Sequence, residues 1–331
     1  MSKQIVGKVV FCIVLSVEVI GIVAWLLLLT QPIRVPNQTT KQPPAKKLTR
    51  IIAIGDIACP SNRQPTAATC KQADVVAAIK MANPDSILLL GDLQYEKGDT
   101  NEFTKTFDPL WSDLKSKTFA APGNHEYYTA RAQGYFSYWN GSSTSSDQAG
   151  EVGKGYYSRD LGGWHIIALN SNCEYIGGCQ EGSPQATWLE ADLQAHKNTL
   201  CTLAFWHHPH FTSGNYVTNK DAQDRSQTFW KLLSAYRADV VLNGHDHIYE
   251  RFARQNAAGQ ADSNGVREFI VGTGGKELYH FKQSVANHEA GQDDTFGFLQ
   301  LDVIESNYQW QFHDIAGKTR DSGSNNCSLP K

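Results

Sequence analysis

Five times along this chain a short apolar run breaks off at the same kind of polar cluster. The runs "RIIAIGD", "SILLLGD", "KTFAAPGNHE", "CTLAFWHHP" and "DVVLNGHDH" end at Gly55-Asp56, Gly91-Asp92, Gly123-Asn124-His125, His207-His208-Pro209 and Gly244-His245-Asp246-His247. Apolar runs of about 4–8 residues bounded by turn residues read as buried strands. Helical patterns separate them: residues 70–82, closed by Asn83-Pro84, part of 102–114, and 227–238. A further helix has Ser183 as its cap, Pro184 in its first turn, and Ala186, Leu189 and Leu193 on one face. Such alternation calls for a layered α/β domain. Towards the end the period changes. After "REFIVGTGG", residues 298–303 and 308–312 alternate at period two, which predicts antiparallel strands.

In open α/β sheets the binding crevice lies at the carboxyl ends of the strands, so the five clusters are expected to meet there. Carboxylate, amide and imidazole together form the hard-to-borderline donor set of a two-metal site. Each piece alone says little. A Gly-Asp after a strand is more often a turn, and a single strand histidine is more often a satisfied core residue, as His165 and His313 read here. The ordered set, with successive clusters 32 to 83 residues apart, is far more specific. One residue in it resists a packing explanation: in "LLLGDLQYEKGD" an aromatic ring, Tyr95, returns three residues after Asp92 inside a polar turn.

"GDLQY" (91–95), "PGNHE" (122–126) and "GHDHIYER" (244–251) resemble the motifs of the calcineurin-like metallophosphoesterase superfamily and, within it, of the purple acid phosphatases. The resemblance runs from about Ile51 to Phe312 and implies a β-sandwich flanked by helices. It implies that Asp56, Tyr95 and His247 hold a first metal ion, that Asp92 bridges both, and that Asn124, His207 and His245 hold the second. Many relatives carry a ligating histidine two residues after the first aspartate; here Ala58 stands there, and Tyr95 fills its role. The first site thus gathers three anionic groups, which suits Fe(III), while the second, with neutral Asn124 and imidazoles beside the shared carboxylate, suits Fe(II), Zn(II) or Mn(II). In "FWHHPHF" the family pattern makes His207 the ligand and turns His208 away into the fold. His125 takes the part of general acid, while His210 faces either substrate or open solvent. The implied reaction is hydrolysis of phosphomonoesters by attack of a metal-held hydroxide on phosphorus. A phosphodiesterase with the same metals and a non-catalytic cell-surface binding protein are the rival readings. "GDIACP" departs from the family in having alanine where glycine is usual.

The amino terminus is of another kind. Residues 9–29 are apolar except for Ser16, Gly21 and Glu18, long enough to span a bilayer. Residues 1–30 are therefore expected to be a transmembrane anchor or signal segment, 31–49 a flexible tether rich in Pro, Gln, Thr and Lys, and 50–331 the catalytic domain. Lysines and arginine flank the span on both sides and leave its orientation open. Outside the span six cysteines remain, expected to pair by proximity as Cys59–Cys70, Cys173–Cys179 and Cys201–Cys327, which places the domain in an oxidising compartment. The protein is thus expected to be membrane-anchored with its catalytic domain outside the cytoplasm, or secreted. Its expected partners are a phosphate-ester small molecule or phosphoprotein substrate and, through the amino-terminal helix, a membrane. A net charge of −3 gives no basic field, so nucleic acid is not an expected partner.

Overall fold

The computed structural model describes residues 48–328. The apolar segment 9–29 and most of the tether lie outside the described residues, and among the described residues no helix is long and apolar enough to cross a membrane.

Strands β1 (Thr49–Ile54), β2 (Ser86–Leu90) and β3 (Thr118–Ala121) run parallel. A small ladder, β4 (Ser145–Ser146) with β5 (Gly150–Glu151), follows. Next come β6 (Tyr157–Leu161), β7 (Trp164–Ala168), β8 (Cys201–Phe205), β9 (Val240–Asn243), β10 (Tyr249–Phe252), β11 (Arg267–Val271) and β12 (His288–Gln292), in the order β12-β10-β11-β9-β8-β7-β6. Then β13 (Gly297–Ile304), β14 (Asn307–Asp314) and β15 (Thr319–Asn326) return to the first sheet as antiparallel strands, giving β15-β14-β13-β1-β2-β3.

Period-two patterning decides how the sheets stack. Ile51 and Ala53, Leu88 and Leu90, and Leu299, Leu301 and Val303 point one way and pack on Trp164, Ile166, Leu203, Phe205 and Leu242 of the second sheet. The alternate residues Ile52, Ile54, Ile87 and Leu89 face outward, onto Val75, Val76 and Ile79 of helix Gln72–Ala82 and onto Phe103, Phe107 and Trp111. On the far side Ile167, Ala204 and Val241 meet Leu189 and Leu193 of helix Pro184–Ala195 and Phe229, Trp230 and Leu233 of helix Lys220–Ala235. The result is two packed sheets with helices on both outer faces. Central strands buried on both sides explain why they read as unbroken apolar runs.

The capping expectation holds: the Ser183 side chain accepts a hydrogen bond from the Ala186 amide. The helix expected at 227–238 starts earlier and spans Lys220–Ala235; the segment expected to be partly helical includes a π-helical stretch, Phe103–Phe107, between Thr100–Glu102 and Asp108–Trp111. Strand β1 begins at Thr49, at the last residue of the expected tether. All three disulfides form as expected, Cys59–Cys70, Cys173–Cys179 and Cys201–Cys327. The last closes a long loop and fixes the chain beyond β15 to the start of β8.

Candidate metal centre

The chain leaves β1 and β2 side by side and keeps that register into the loops. Asp56 N donates to Gly91 O at 3.1 Å, Ile57 N to Asp92 O at 2.9 Å, and Ala58 N to Leu93 O at 3.0 Å. Tyr95 N then donates back to Ala58 O at 2.8 Å, which brings the phenol to the place beside Asp56. Three site residues sit in the left-handed backbone region, Asp56 at φ 61°, Asp92 at φ 50° and His245 at φ 70°. Such conformations are costly for residues with a Cβ and persist where surrounding contacts hold them. Gly91, at φ 87°, also makes room: a Cβ there would stand 2.6 Å from Nδ1 of His207.

The seven candidate ligands meet in one cluster, all buried but the half-buried Asn124. Tyr95 Oη lies 2.9 Å from Asp56 Oδ1, 3.1 Å from Asp92 Oδ2 and 3.0 Å from His247 Nε2. His207 Nε2 lies 3.3 Å from Asp92 Oδ2, 3.1 Å from Asn124 Oδ1 and 3.1 Å from His245 Nδ1. Asp92 Oδ2 therefore touches both groups. The backbone N–H of His245 donates to Asp56 Oδ2 at 2.9 Å and stitches the two together.

The donor set fits cations. His207 Nδ1 donates to Leu90 O at 2.9 Å and His247 Nδ1 to Glu277 O at 2.8 Å, so each turns its Nε2 inward. Nε2 facing oxygens at these distances needs positive charge between them, either its own proton or a cation. The electrostatics say the same. Burial works against charge on His207, yet Asp92 outweighs it and pushes the imidazole up to about 9. Burial also opposes charge on Asp92, but His207 and His125 hold its carboxyl well below the usual range. For His247, burial is outweighed by Asp56 and the shift is upward. Tyr95, buried beside Asp56 and Asp92, is pushed well above an ordinary phenol, so only a strong positive charge would hold it as phenolate.

His125 stands at the edge. Its backbone N–H donates to Asp92 Oδ1 at 2.9 Å, and its Nδ1 donates to Glu96 O at 2.6 Å. That leaves Nε2 free, 3.9 Å from Asp92 Oδ2, on a side chain 20 % exposed. The structure corrects two expectations nearby. His208 does not turn away from the site; its ring lies 4.4 Å from that of His245, and its Nδ1 pairs with Ser171 Oγ at 2.7 Å. His210 is neither at the site nor open to solvent: it pairs with Ser226 Oγ at 2.9 Å and stacks on Trp230, where burial lowers it to about 4.

Several residues of consequence gave little sign of themselves in the sequence. Glu126, the last letter of "PGNHE", accepts the backbone N–H groups of Gly123 at 2.7 Å, Asp92 at 2.9 Å and Leu93 at 2.9 Å, fully buried. Burial and the nearby Asp92 push it up to about 7. Asp246, between two ligands, accepts from Thr212 Oγ1 and the Asn215 and Tyr216 amides, so the 212–216 loop lays Tyr216 over His245 at 3.8 Å. Tyr279 stacks on His247 at 4.0 Å. The buried Lys276 ammonium sits 4.8 Å above the Tyr95 ring and pairs with Glu96. For Glu126 the motif itself was the signal; for Asp246, Tyr216, Tyr279 and Lys276 only tertiary contact reveals the role.

Comparison with known proteins agrees with this geometry. Residues 49–249 match the family model of the calcineurin-like phosphoesterases. Among curated proteins the chain is 28% identical to purple acid phosphatase 22 of Arabidopsis thaliana over 306 residues, covering 87% of this chain and 64% of that one. It is 24% identical over 248 residues to a probable inactive purple acid phosphatase 9 of the same plant, covering 65% and 37%. The chain thus spans less than two thirds of the length of these relatives. Among solved structures, a purple acid phosphatase from yellow lupin (Lupinus luteus) seeds superposes with TM-score 0.71 at 18% identity, over 86% of this chain and 54% of that one. GAP50, the anchor in the inner membrane complex of Plasmodium, does so with TM-score 0.61 at 15% identity, over 86% and 91%. These likenesses are of fold.

Proposed function

Because the chain belongs to the calcineurin-like phosphoesterase family, we propose that it hydrolyses phosphomonoesters with two metal ions. Fe(III) would be held by Asp56, Tyr95 and His247, and Fe(II), Zn(II) or Mn(II) by Asn124, His207 and His245. The observation that carries the reading is the position of Asp92: its Oδ2 reaches Tyr95 Oη at 3.1 Å and His207 Nε2 at 3.3 Å, as a carboxylate shared by two ions must.

When bound, the ions supply an activated water and polarise the phosphoryl oxygens. The remaining work falls to side chains. His125, oriented by the bond from Nδ1 to Glu96 O, carries a proton on Nε2 to the departing alkoxide. Glu126 holds the backbone that presents Asp92. Tyr216 and Tyr279 wall the histidines from bulk water. The three disulfides support an exported domain, and with residues 9–29 as an anchor it would stand tethered outside the cytoplasm. The substrate is then a phosphate-ester small molecule or phosphoprotein met there.

The test is to purify the full chain, count its metals and follow release from phenyl phosphate and from bis(p-nitrophenyl) phosphate. Turnover of the monoester with two ions per chain is the expected result. Turnover of the diester alone would replace the reading with a phosphodiesterase. Two bound ions with neither substrate consumed would make the chain a binding protein.

A further inference from the structure

We infer that His208 is a phosphate-binding residue, donating a hydrogen bond from Nε2 to a phosphoryl oxygen beside the second metal site. The inference rests on the proposed phosphate chemistry of the centre, and on hydrogen-bond accounting around Ser171. The backbone N–H of His208 donates to Ser171 Oγ at 3.1 Å. The same oxygen lies 2.7 Å from His208 Nδ1. Among the described residues the serine hydroxyl has no other acceptor in reach, so its hydrogen goes to Nδ1. Nδ1 is then the acceptor, and the hydrogen of the neutral ring sits on Nε2. A protonated nitrogen does not ligate a metal; it donates.

Place supports the same role. One ring nitrogen each of His207, His208 and His245 lies within 4.8 Å of the others. The His208 ring centroid is 4.9 Å from that of His207 and 4.4 Å from that of His245. The side chain is nearly enclosed, 6 % exposed, yet Nε2 is not fully buried and among the described residues makes no hydrogen bond. A donor left open beside two ligands of the second ion, on a ring that Ser171 keeps from turning, is placed for a tetrahedral oxyanion. His125 stands on the Tyr95 side of the cluster, 4.3 Å from that ring, so the two histidines would grip different phosphoryl oxygens.

The test compares wild type with His208→Ala, His208→Gln and Ser171→Ala in the full, metal-loaded chain. Metal content is counted and the affinity for inorganic phosphate is measured by calorimetry, which needs no turnover. A hydrogen bond to a charged acceptor is worth about 1.5–3 kcal/mol, so His208→Ala should weaken phosphate binding roughly 10- to 100-fold with both metals retained. His208→Gln, whose amide reaches to the same place, should recover much of the loss. Loss of the second ion in His208→Ala would make the residue a ligand and overturn the inference, as would an affinity within about twofold of wild type. Should His208→Ala fail to fold, Ser171→Ala decides: with Nδ1 released the donor is no longer fixed on Nε2, and affinity should fall several-fold. Unchanged affinity there overturns the inference too. A chain that binds phosphate in this way but hydrolyses no monoester would sink the phosphatase reading and leave this one standing.

Discussion

Glu126 holds Asp92 by the backbone: its Oε2 accepts the Asp92 N–H at 2.9 Å while Oε1 takes that of Leu93 at 2.9 Å. The carboxylate that would bridge the two metals is thus positioned by a second, buried carboxylate that acts through backbone amides. Glu126→Ala would leave the amides of Gly123, Asp92 and Leu93 without an acceptor, at about 1–3 kcal/mol for a buried unsatisfied group. It should lower the melting temperature and weaken metal binding roughly 10- to 100-fold, as loss of a group that orients a ligand does. Thermal melts and metal titration of the variant check this, and wild-type values in both would show that the loop holds itself.

Tyr95 is the residue whose loss should be seen by eye. A phenolate on Fe(III) absorbs in the visible by charge transfer to the metal, so the iron-loaded protein should be coloured. Tyr95→Phe should bleach it and retain part of the activity, since Asp56, Asp92 and His247 still face the ion. A colourless iron-loaded wild type would mean that Tyr95 lines the pocket without ligating iron.

His125→Ala should separate leaving groups. An alkoxide needs its proton in the transition state and a nitrophenolate hardly does, and general acids contribute about 10²–10⁴-fold. Hydrolysis of an alkyl phosphate should therefore fall far more than that of p-nitrophenyl phosphate, with metal content unchanged. Equal losses on both substrates would reduce His125 to a phosphate-positioning role.

Away from the centre, His165 on β7 is clamped between Asp160 of β6 at 3.0 Å and Asp192 of helix Pro184–Ala195 at 2.7 Å, with His196 stacked on it at 3.7 Å. Ser158 also donates to Asp192. Burial disfavours the imidazolium, but the bonds to both aspartates outweigh it and raise His165 above 6.5. Asp192 is lowered below 3.8, burial being outweighed by His165 and Ser158. The raised histidine stabilises the fold fully below pH 6.5 and loses that contribution as pH rises through its folded value. The lowered carboxylate contributes above pH 3.8 and loses it as pH falls further. The clamp is therefore strongest in mildly acid solution. Asp192→Asn should cost roughly 1–3 kcal/mol at pH 5 and less at pH 8. Denaturant melts at the two pH values measure it; equal losses would mean that the contact is packing alone.

Legibility followed burial. Strands β1, β2, β8 and β9 lie inside the sandwich, and their apolar runs announced them and the polar ends that form the site. Strand β15, "TRDSGSNN", carries no apolar residue; it is an edge strand recruited by pairing with β14 and was invisible to pattern. β10 was hidden inside the "GHDHIYER" motif, where attention falls on chemistry. The seven candidate ligands could be named because their spacing is local to each strand end. Which way His208 turns could not, because the hydroxyl that orients it lies 37 residues away on a different loop. Tyr216 and Tyr279 belong to the same class: their neighbours are chosen by the fold and not by the adjoining sequence.

The division of ligands between the two sheets has a mechanical consequence. Asp56, Asp92, Tyr95 and Asn124 follow strands of one sheet, whereas His207, His245 and His247 follow strands of the other. Each proposed ion thus draws ligands from both, and acts as a rivet through the seam where the sheets meet. Any slip of one sheet against the other opens both coordination shells together, and neither sheet alone can assemble either. Ion binding and docking of the two layers are then a single cooperative event, and the loaded protein should breathe less along that seam than the bare chain does.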